Sequence, residues 1–422
     1  MLKMRKMKDS GIEWIGEIPE GWEIKRLGAI LQERNEVNNP IQTTIILSLT
    51  NNRGVIPYSE KGNQGNKAKD DLTGYKIAHI GDIVLNSMNV IIGSVGLSNY
   101  YGAVSPVYYM LFPRNNIETN IQYYNYLFQT TAFQQSLRGY GNGILEIRMR
   151  IQMQKLKTVL LPVPTFLEQS NITVYLDASL SKLNILLSKT RSSIEEYKKL
   201  KQAVITQAVT KGVRGKRETK DSKIEWLGQI PKEWKCQKLK YTIFPQNRPV
   251  FNTDEIITCF RDGIVTLRKN RREDGFTVSF TEHGYQGVEI GDLVIHGMDA
   301  FAGAIGCSDS RGKTTPVVHV CTTTGNNRFF MFFLRYMAYS NIFMDFSNGI
   351  RIRSSDFRNF TKLGIFDVLV PPIAEQNEIA DYLDAKCAEI DGLIAKKEQL
   401  VKELESYKKS LIYEIVTGKR EV

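Results

Sequence analysis

The residues of this chain best suited to chemistry are arginines and asparagines set beside glycine-rich turns. Arg138-Gly-Tyr-Gly-Asn142-Gly is followed by Arg148 and Arg150, and Ser347-Asn348-Gly by Arg351 and Arg353. Glycine lets a backbone approach a ligand closely, and the arginine fork binds phosphate or the edge of guanine through two hydrogen bonds. The pattern predicts contact with a polyanion. Further candidates are Asn51-Asn52-Arg53, the polar loop Gly62 to Lys69, the run Arg268-Lys269-Asn270-Arg271-Arg272, and Met88-Asn89 with its counterpart Met298-Asp299. The predicted contact set is Asn51, Arg53, Asn89, Arg138, Asn142, Arg148, Arg150, Arg268, Lys269, Arg271, Arg272, Asn348, Arg351 and Arg353. Each residue taken singly reads equally well as part of a solvated turn. The pairing of Asn-Gly with downstream arginines in two places favours binding.

Catalytic constellations are not found. Gly306 to Thr314 resembles a phosphate-binding loop but has five residues between its glycines where that motif needs four. Glu23-Ile-Lys25 would suit a nuclease, yet the matching position of Glu23 is Lys235 and no acidic partner is defined. His79, His283, His296 and His319 do not repeat, and His319-x-Cys321 lacks further ligands at zinc spacing. No glycine-rich nucleotide loop follows a strand, and no Asn/Asp-Pro-Pro-aromatic methyltransferase motif occurs. The chain reads as a binder with no cofactor or metal of its own.

The elements that must position these residues come in duplicate. Asp9-Ser-Gly-Ile-Glu-Trp14-Ile-Gly-Glu-Ile-Pro-Glu-Gly-Trp22 returns as Asp221-Ser-Lys-Ile-Glu-Trp226-Leu-Gly-Gln-Ile-Pro-Lys-Glu-Trp234, and these two segments hold all four tryptophans. Gly81-Asp-Ile-Val84 returns as Gly291-Asp-Leu-Val294. Met88, Gly93, Gly96 and Pro106 return as Met298, Gly303, Gly306 and Pro316. Asn142-Gly-Ile144 matches Asn348-Gly-Ile350, and Pro164 with Glu168-Gln169 matches Pro371 with Glu375-Gln376. Self-similarity at so long a period means two whole domains, not a short-repeat solenoid.

Composition is that of an ordinary globular protein, 42% hydrophobic and 24% charged. No run of about 18 apolar residues and no signal-peptide pattern is present, so a cytoplasmic protein without a membrane span is expected. Five scattered cysteines (236, 259, 307, 321 and 387) without a C-x-x-C pair are expected to be reduced. The net charge of +11 lies in the duplicated parts. Residues 1–165 carry 18 basic against 13 acidic residues (+5) and residues 213–372 carry 23 against 17 (+6). Segment 166–212 (+3) and tail 373–422 (−3) cancel. Nucleic acid is one reading of that balance, and ordinary surface charge another.

From about Phe166 to Val209, apolar or long-stemmed residues recur in steps of four and three. The first seam is Leu183, Leu187, Thr190, Ile194, Tyr197, Lys201, Val204 and Ala208. The second is Ile390, Ile394, Lys397, Val401, Leu404, Lys408, Leu411 and Ile415. Proline at each start and glycine at each end support a long coiled-coil pair, roughly 65 Å for some 45 residues. Two amphipathic helices, each packed on its own domain, are the alternative. Antiparallel pairing would give a pseudo-two-fold arrangement. Between Trp motif and helix, strands are predicted near 44–49, 76–80, 82–85 and 106–112, and near 255–260, 275–280, 292–295 and 316–322. Helices are predicted at 121–133 and 329–343. The expected class is α+β, with domains at 1–165 and 213–372 and spacer helices at 166–212 and 373–422.

The Ile-Pro-x-x-Trp segment, the Gly-Asp-Ile/Leu-Val strand, and Pro-x-x-x-Glu-Gln opening a long helix that ends in Val-Thr occur twice in that order. This ordered set resembles the DNA-specificity subunit of type I restriction-modification systems over nearly the whole chain. The resemblance implies two target-recognition domains that read a bipartite site in double-stranded DNA, with a gap set by the paired helices. It also implies two modification subunits carrying S-adenosylmethionine that methylate adenine at N6, and restriction subunits carrying ATP and Mg. Thr165 departs from the second proline seen at Pro372, and Lys211-Gly212 from Gly418-Lys419. An orphan DNA-binding protein, a scaffold without a nucleic-acid role and a self-contained nuclease are the competing readings.

Overall fold

A computed structural model describes residues 5–51, 53–62, 67–142, 150–271, 283–345 and 356–422. Two compact units result, Met1–Thr190 with Gln399–Val422, and Arg191–Glu398. Each contains one copy of the duplication and part of each of two long helices, Phe166–Lys211 and Ile373–Val416. The class is α+β, as the sequence predicts.

The first unit is built on a four-stranded antiparallel sheet in the order Leu31–Arg34, Tyr108–Pro113, Ile83–Asn86, Val95–Leu97. The second repeats it as Ile243–Pro245, Val318–Thr323, Leu293–His296, Ile305–Cys307. Alternation along a strand sends neighbouring side chains to opposite faces. Ile83 and Leu85 therefore join the main core with Trp22, Tyr123 and Leu127, while Val84 joins a smaller core with Leu47, Val55 and Met110. In the second unit Leu293 and Ile295 pack with Trp234 and Phe329, and Val294 with Ile257, Val265 and Val320. A sheet buried on both faces explains why these strands read as unbroken apolar runs.

The smaller core lies under a hairpin, Leu47–Thr50 with Gly54–Pro57 in one unit and Ile257–Cys259 with Val265–Leu267 in the other. Close packing of this hairpin accounts for the repeated Gly96 and Gly306. A Cβ on Gly96 would stand 3.0 Å from the Cα of Gly54, and one on Gly306 would stand 2.0 Å from the carbonyl oxygen of Gly263.

The Trp motif is a compact clasp. Asp9 and Asp221 accept backbone N–H bonds from Gly11 and Lys223 at 3.0 and 2.9 Å, and Ser10 and Ser222 accept those of Ile12 and Ile224 at 3.0 and 3.1 Å. Strands Met7–Asp9 and Glu17–Pro19 pair, as do Thr219–Asp221 and Gln229–Pro231. Trp22 and Trp234 are fully buried, edge-on to Tyr123 and Phe329 at 6.4 and 6.5 Å. Each indole N–H donates to the glutamate in the first turn of a long helix, Trp22 to Glu168 at 3.3 Å and Trp234 to Glu375 at 2.9 Å. Arg5 and Arg217 lie over the same indoles and pair with the same glutamates. The neighbouring Gln169 and Gln376 accept the backbone N–H of Asn120 and Asn326 at 2.8 and 2.9 Å, tying helix to domain. Thr165 and Glu168 form a reciprocal capping box, which Pro372 cannot offer.

The seam residues form the least exposed stripe of both long helices. Leu187, Ile194, Ile390, Leu411 and Ile415 are buried, while Leu183, Tyr197, Val204, Ile394, Val401 and Leu404 are half-buried. Within the second unit Tyr197 faces Lys397 (5.7 Å to the ring) and Lys201 pairs with Asp391 at 2.5 Å, so the segments there run antiparallel. In the first unit Lys408 donates to Asn184 at 2.8 Å.

Several expectations need correction. The helix expected over 121–133 is two, Ile121–Gln129 and Thr131–Ser136, because Thr130 caps the second through a bond from the Phe133 N–H. The helix expected over 329–343 begins at Asn327 and breaks after Tyr339, where Asn341 takes a positive φ. Strands Glu23–Arg26 with Leu160–Val163, and Lys235–Lys238 with Asp367–Val370, were not anticipated. The strand expected near 275–280 lies outside the described residues. The Gly306–Thr314 stretch is a strand, a turn and a second strand, with no phosphate loop.

Candidate nucleic-acid interface

The repeated Gly-Asp pair opens the strand whose far end carries the candidate turn. Gly81 and Gly291 take φ of 88° and 84°, turning the chain into the central strand. Asp82 and Asp292 are buried there, accepting the N–H of His79 and Glu289 at 2.9 and 2.7 Å and the guanidinium of Arg34 and Arg248. Their charges are thus compensated. At the far end of the strand, Asn86 or His296 accepts amide bonds from the next turn: Met88 at 3.0 Å in one unit, Met298 and Asp299 at 3.3 and 3.1 Å in the other. Burial pushes the His296 imidazole below its ordinary value, opposed by nearby Asp299 and reinforced by Arg261. A short 3-10 turn follows, closed by Gly93 or Gly303 at positive φ.

Against this turn leans the tip of the hairpin. In the first unit Ser94 donates to Asn51 at 2.6 Å, which brings Asn51 and Asn89 to one locality. In the second, Arg261 occupies the position of Asn51 and donates to Asp299, the counterpart of Asn89, at 2.9 Å. Arg271 is forked onto Asp262 and lies 4.4 Å over the Phe260 ring. These groups border a cleft of about 800 Å³ in the second unit.

Other candidates fall as follows. Arg53 is ion-paired with Glu60, Lys269 with Glu255, and Arg268 donates to Thr258 at 3.2 Å. Arg150 is exposed on a two-residue ribbon paired with Gly141–Asn142, and the Ile151 N–H donates to Ser87 in the turn that carries Asn89. Arg138 is exposed in the preceding 3-10 turn, and among the described residues no hydrogen bond or ion pair joins it to this group. Arg148, Arg272, Asn348, Arg351 and Arg353 lie outside the described residues. Sequence reasoning missed Arg261 and Asp262. The available signal was the duplication itself, since Arg261 stands where Asn51 stands.

Among the described residues no three His, Cys, Asp or Glu side chains lie together as a metal site, and no helix is long and apolar enough to cross a membrane. His319 is held by the Phe357 carbonyl at 2.6 Å, and Cys259 is buried, its thiol pushed up to about 12.

Residues 19–196, which begin at the end of the first clasp and take in Trp22, the sheet, the hairpin and part of the long helix, match the family model described as type I restriction modification DNA specificity domain. That part of the chain is similar to the family's DNA specificity domain. The putative type I restriction enzyme MjaX specificity subunit of Methanocaldococcus jannaschii is 26% identical, over 96% of this chain and 95% of the relative. A solved structure titled as the basis of complex assembly and conformational transition of the type I R-M system shares the fold with TM-score 0.68 and 12% identity, over 96% of this chain and 99% of that one. The HsdS subunit from Thermoanaerobacter tengcongensis matches with TM-score 0.52 and 13% identity, over 96% and 98%. The two solved structures thus share the fold of this chain.

Proposed function

We propose that this chain is the non-catalytic DNA-reading subunit of a type I restriction-modification enzyme. Each unit reads one part of a bipartite site in double-stranded DNA. Adenine-N6 methylation, with S-adenosylmethionine, is carried out by two modification subunits, and ATP- and Mg-dependent restriction by further subunits. One observation carries the reading: the same polar hairpin tip, propped on the turn after a Gly-Asp strand, is built twice from different side chains. A scaffold would need one fold twice but has no need of different tips. Phosphate contacts position such a reader and base contacts specify, so variable side chains at matching places are what two different half-sites require.

The helices of 46 and 44 residues fit a spacer role, since recognition of two half-sites demands a fixed interval of about one DNA turn or a multiple of it. Genome-wide mapping of N6-methyladenine in cells with and without this chain tests the proposal. A split motif that vanishes with the chain is expected. Unchanged methylation would refute it.

A further inference from the structure

Resting on that reading, we infer that Arg261 and Asp299 are specificity-determining residues that together read one G·C base pair in the half-site taken by the second unit. The two side chains come from separate elements, the hairpin tip and the turn after the central strand, and join at 2.9 Å at the rim of the cleft. Arg261 keeps 68% of its side chain exposed while its bond to Asp299 restrains the guanidinium at the cleft rim. Asp299 is in turn fixed from behind, because its own backbone N–H donates to His296 Nδ1 at 3.1 Å. An acceptor role at Nδ1 puts the imidazole proton on Nε2, and burial keeps the ring neutral.

The joined pair presents spare N–H donors beside a carboxylate acceptor. In the major groove a G·C pair presents the complement, two acceptors on guanine (O6 and N7) beside one donor on cytosine (N4). Donors and acceptor are held together before DNA arrives, so little side-chain entropy is lost on contact. Asn51 and Asn89 stand at the matching places in the first unit, and asparagine is suited to the N6 and N7 of adenine. The same scaffold therefore reads different bases by exchanging two side chains. Arg271, forked onto Asp262 beside the same cleft, flanks the pair but belongs to the hairpin alone.

The test uses the chain assembled with its modification subunits and a panel of duplexes carrying each of the four base pairs at every position of the half-site that depends on residues 213–372. Wild type is expected to require G·C at one position. Arg261→Lys keeps the charge but not the fork, and Asp299→Asn keeps the shape but not the carboxylate. Each is expected to lower discrimination at that position alone by roughly tenfold to a hundredfold, the range for one bidentate base contact, with the other half-site unaltered. Arg261→Asn combined with Asp299→Asn is expected to move the preference toward A·T. Unfolding midpoints equal to wild type certify the variants as folded. Undiminished discrimination in folded Arg261→Lys, or a half-site without an invariant G·C pair, overturns the assignment while leaving the DNA-reading function intact. A wild-type assembly that methylates no bipartite site would instead defeat that underlying function.

Discussion

Replacing Glu375 with alanine should cost the second unit far more than the matching change at Glu168 costs the first. Glu375 is 1% exposed, accepts the N–H of fully buried Trp234 at 2.9 Å and pairs with Arg217, itself 17% exposed, at 2.5 Å. Removing it leaves a half-buried guanidinium with no counter-charge, held by the Lys211 carbonyl and the indole face, and an indole donor without its acceptor. Breaking a buried pair from one side costs about 3–5 kcal/mol, and the orphaned indole does not add fully because both share one carboxylate. Glu168 is 30% exposed and its Trp22 contact is longer, 3.3 Å, so the ion pair there is worth about 1 kcal/mol or less, with the capping box adding about 1 more. For a unit of this size 1 kcal/mol shifts the midpoint by about 2–4 °C. Taking about 4 kcal/mol for Glu375→Ala and about 1.5 kcal/mol for Glu168→Ala, calorimetry should show falls of about 8–16 °C and about 3–6 °C. Glu375→Gln, which retains an acceptor but no charge, should fall between. Equal shifts for the two alanine variants, or a Glu375→Gln protein that melts like wild type, would refute the argument from burial.

Tyr124 is buried and its hydroxyl finds no partner among the described residues, and the second unit has Phe330 at the same place, so Tyr124→Phe should stabilise by about 1 kcal/mol in urea unfolding. Its neighbour Tyr123 donates to the Val416 carbonyl at 2.7 Å, so Tyr123→Phe should destabilise by about 1 kcal/mol; the same sign for both would contradict the contrast. Burial lowers the affinity of His296 and His319 for protons, so the unfolded chain takes up protons first as pH falls below about 6.5. Stability of the second unit should be full above that pH and decline toward the lower native values, and His319→Gln should flatten this slope in pH-dependent melting curves. Exchanging residues 1–165 for those of a relative should change one half of the methylated motif; a change in both would rule out modular reading. Adding two turns, about seven residues, to both long helices should alter the unread gap, and sequencing of methylated sites that shows the same gap would reject the spacer role.

By itself the sequence determined the duplication, the α+β class, the long helices and their seams. Each is written in local periodicity or in the recurrence of residues, and both survive without knowledge of which parts touch. It also located the loops that bear Asn51, Asn89 and Arg271, because glycines and polar runs mark turns. Tertiary structure decided what those residues do. Glu168 and Glu375 look like surface helix starts until Trp22 and Trp234 are seen to reach them. Nothing in the sequence marks Asp82 and Asp292 as interior carboxylates, and Arg34 and Arg248 stand beside them there. The pairing of Arg261 with Asp299 joins residues 38 positions apart on different elements. Such contacts depend on how a hairpin folds back over a sheet, and a one-dimensional pattern carries no record of that distance.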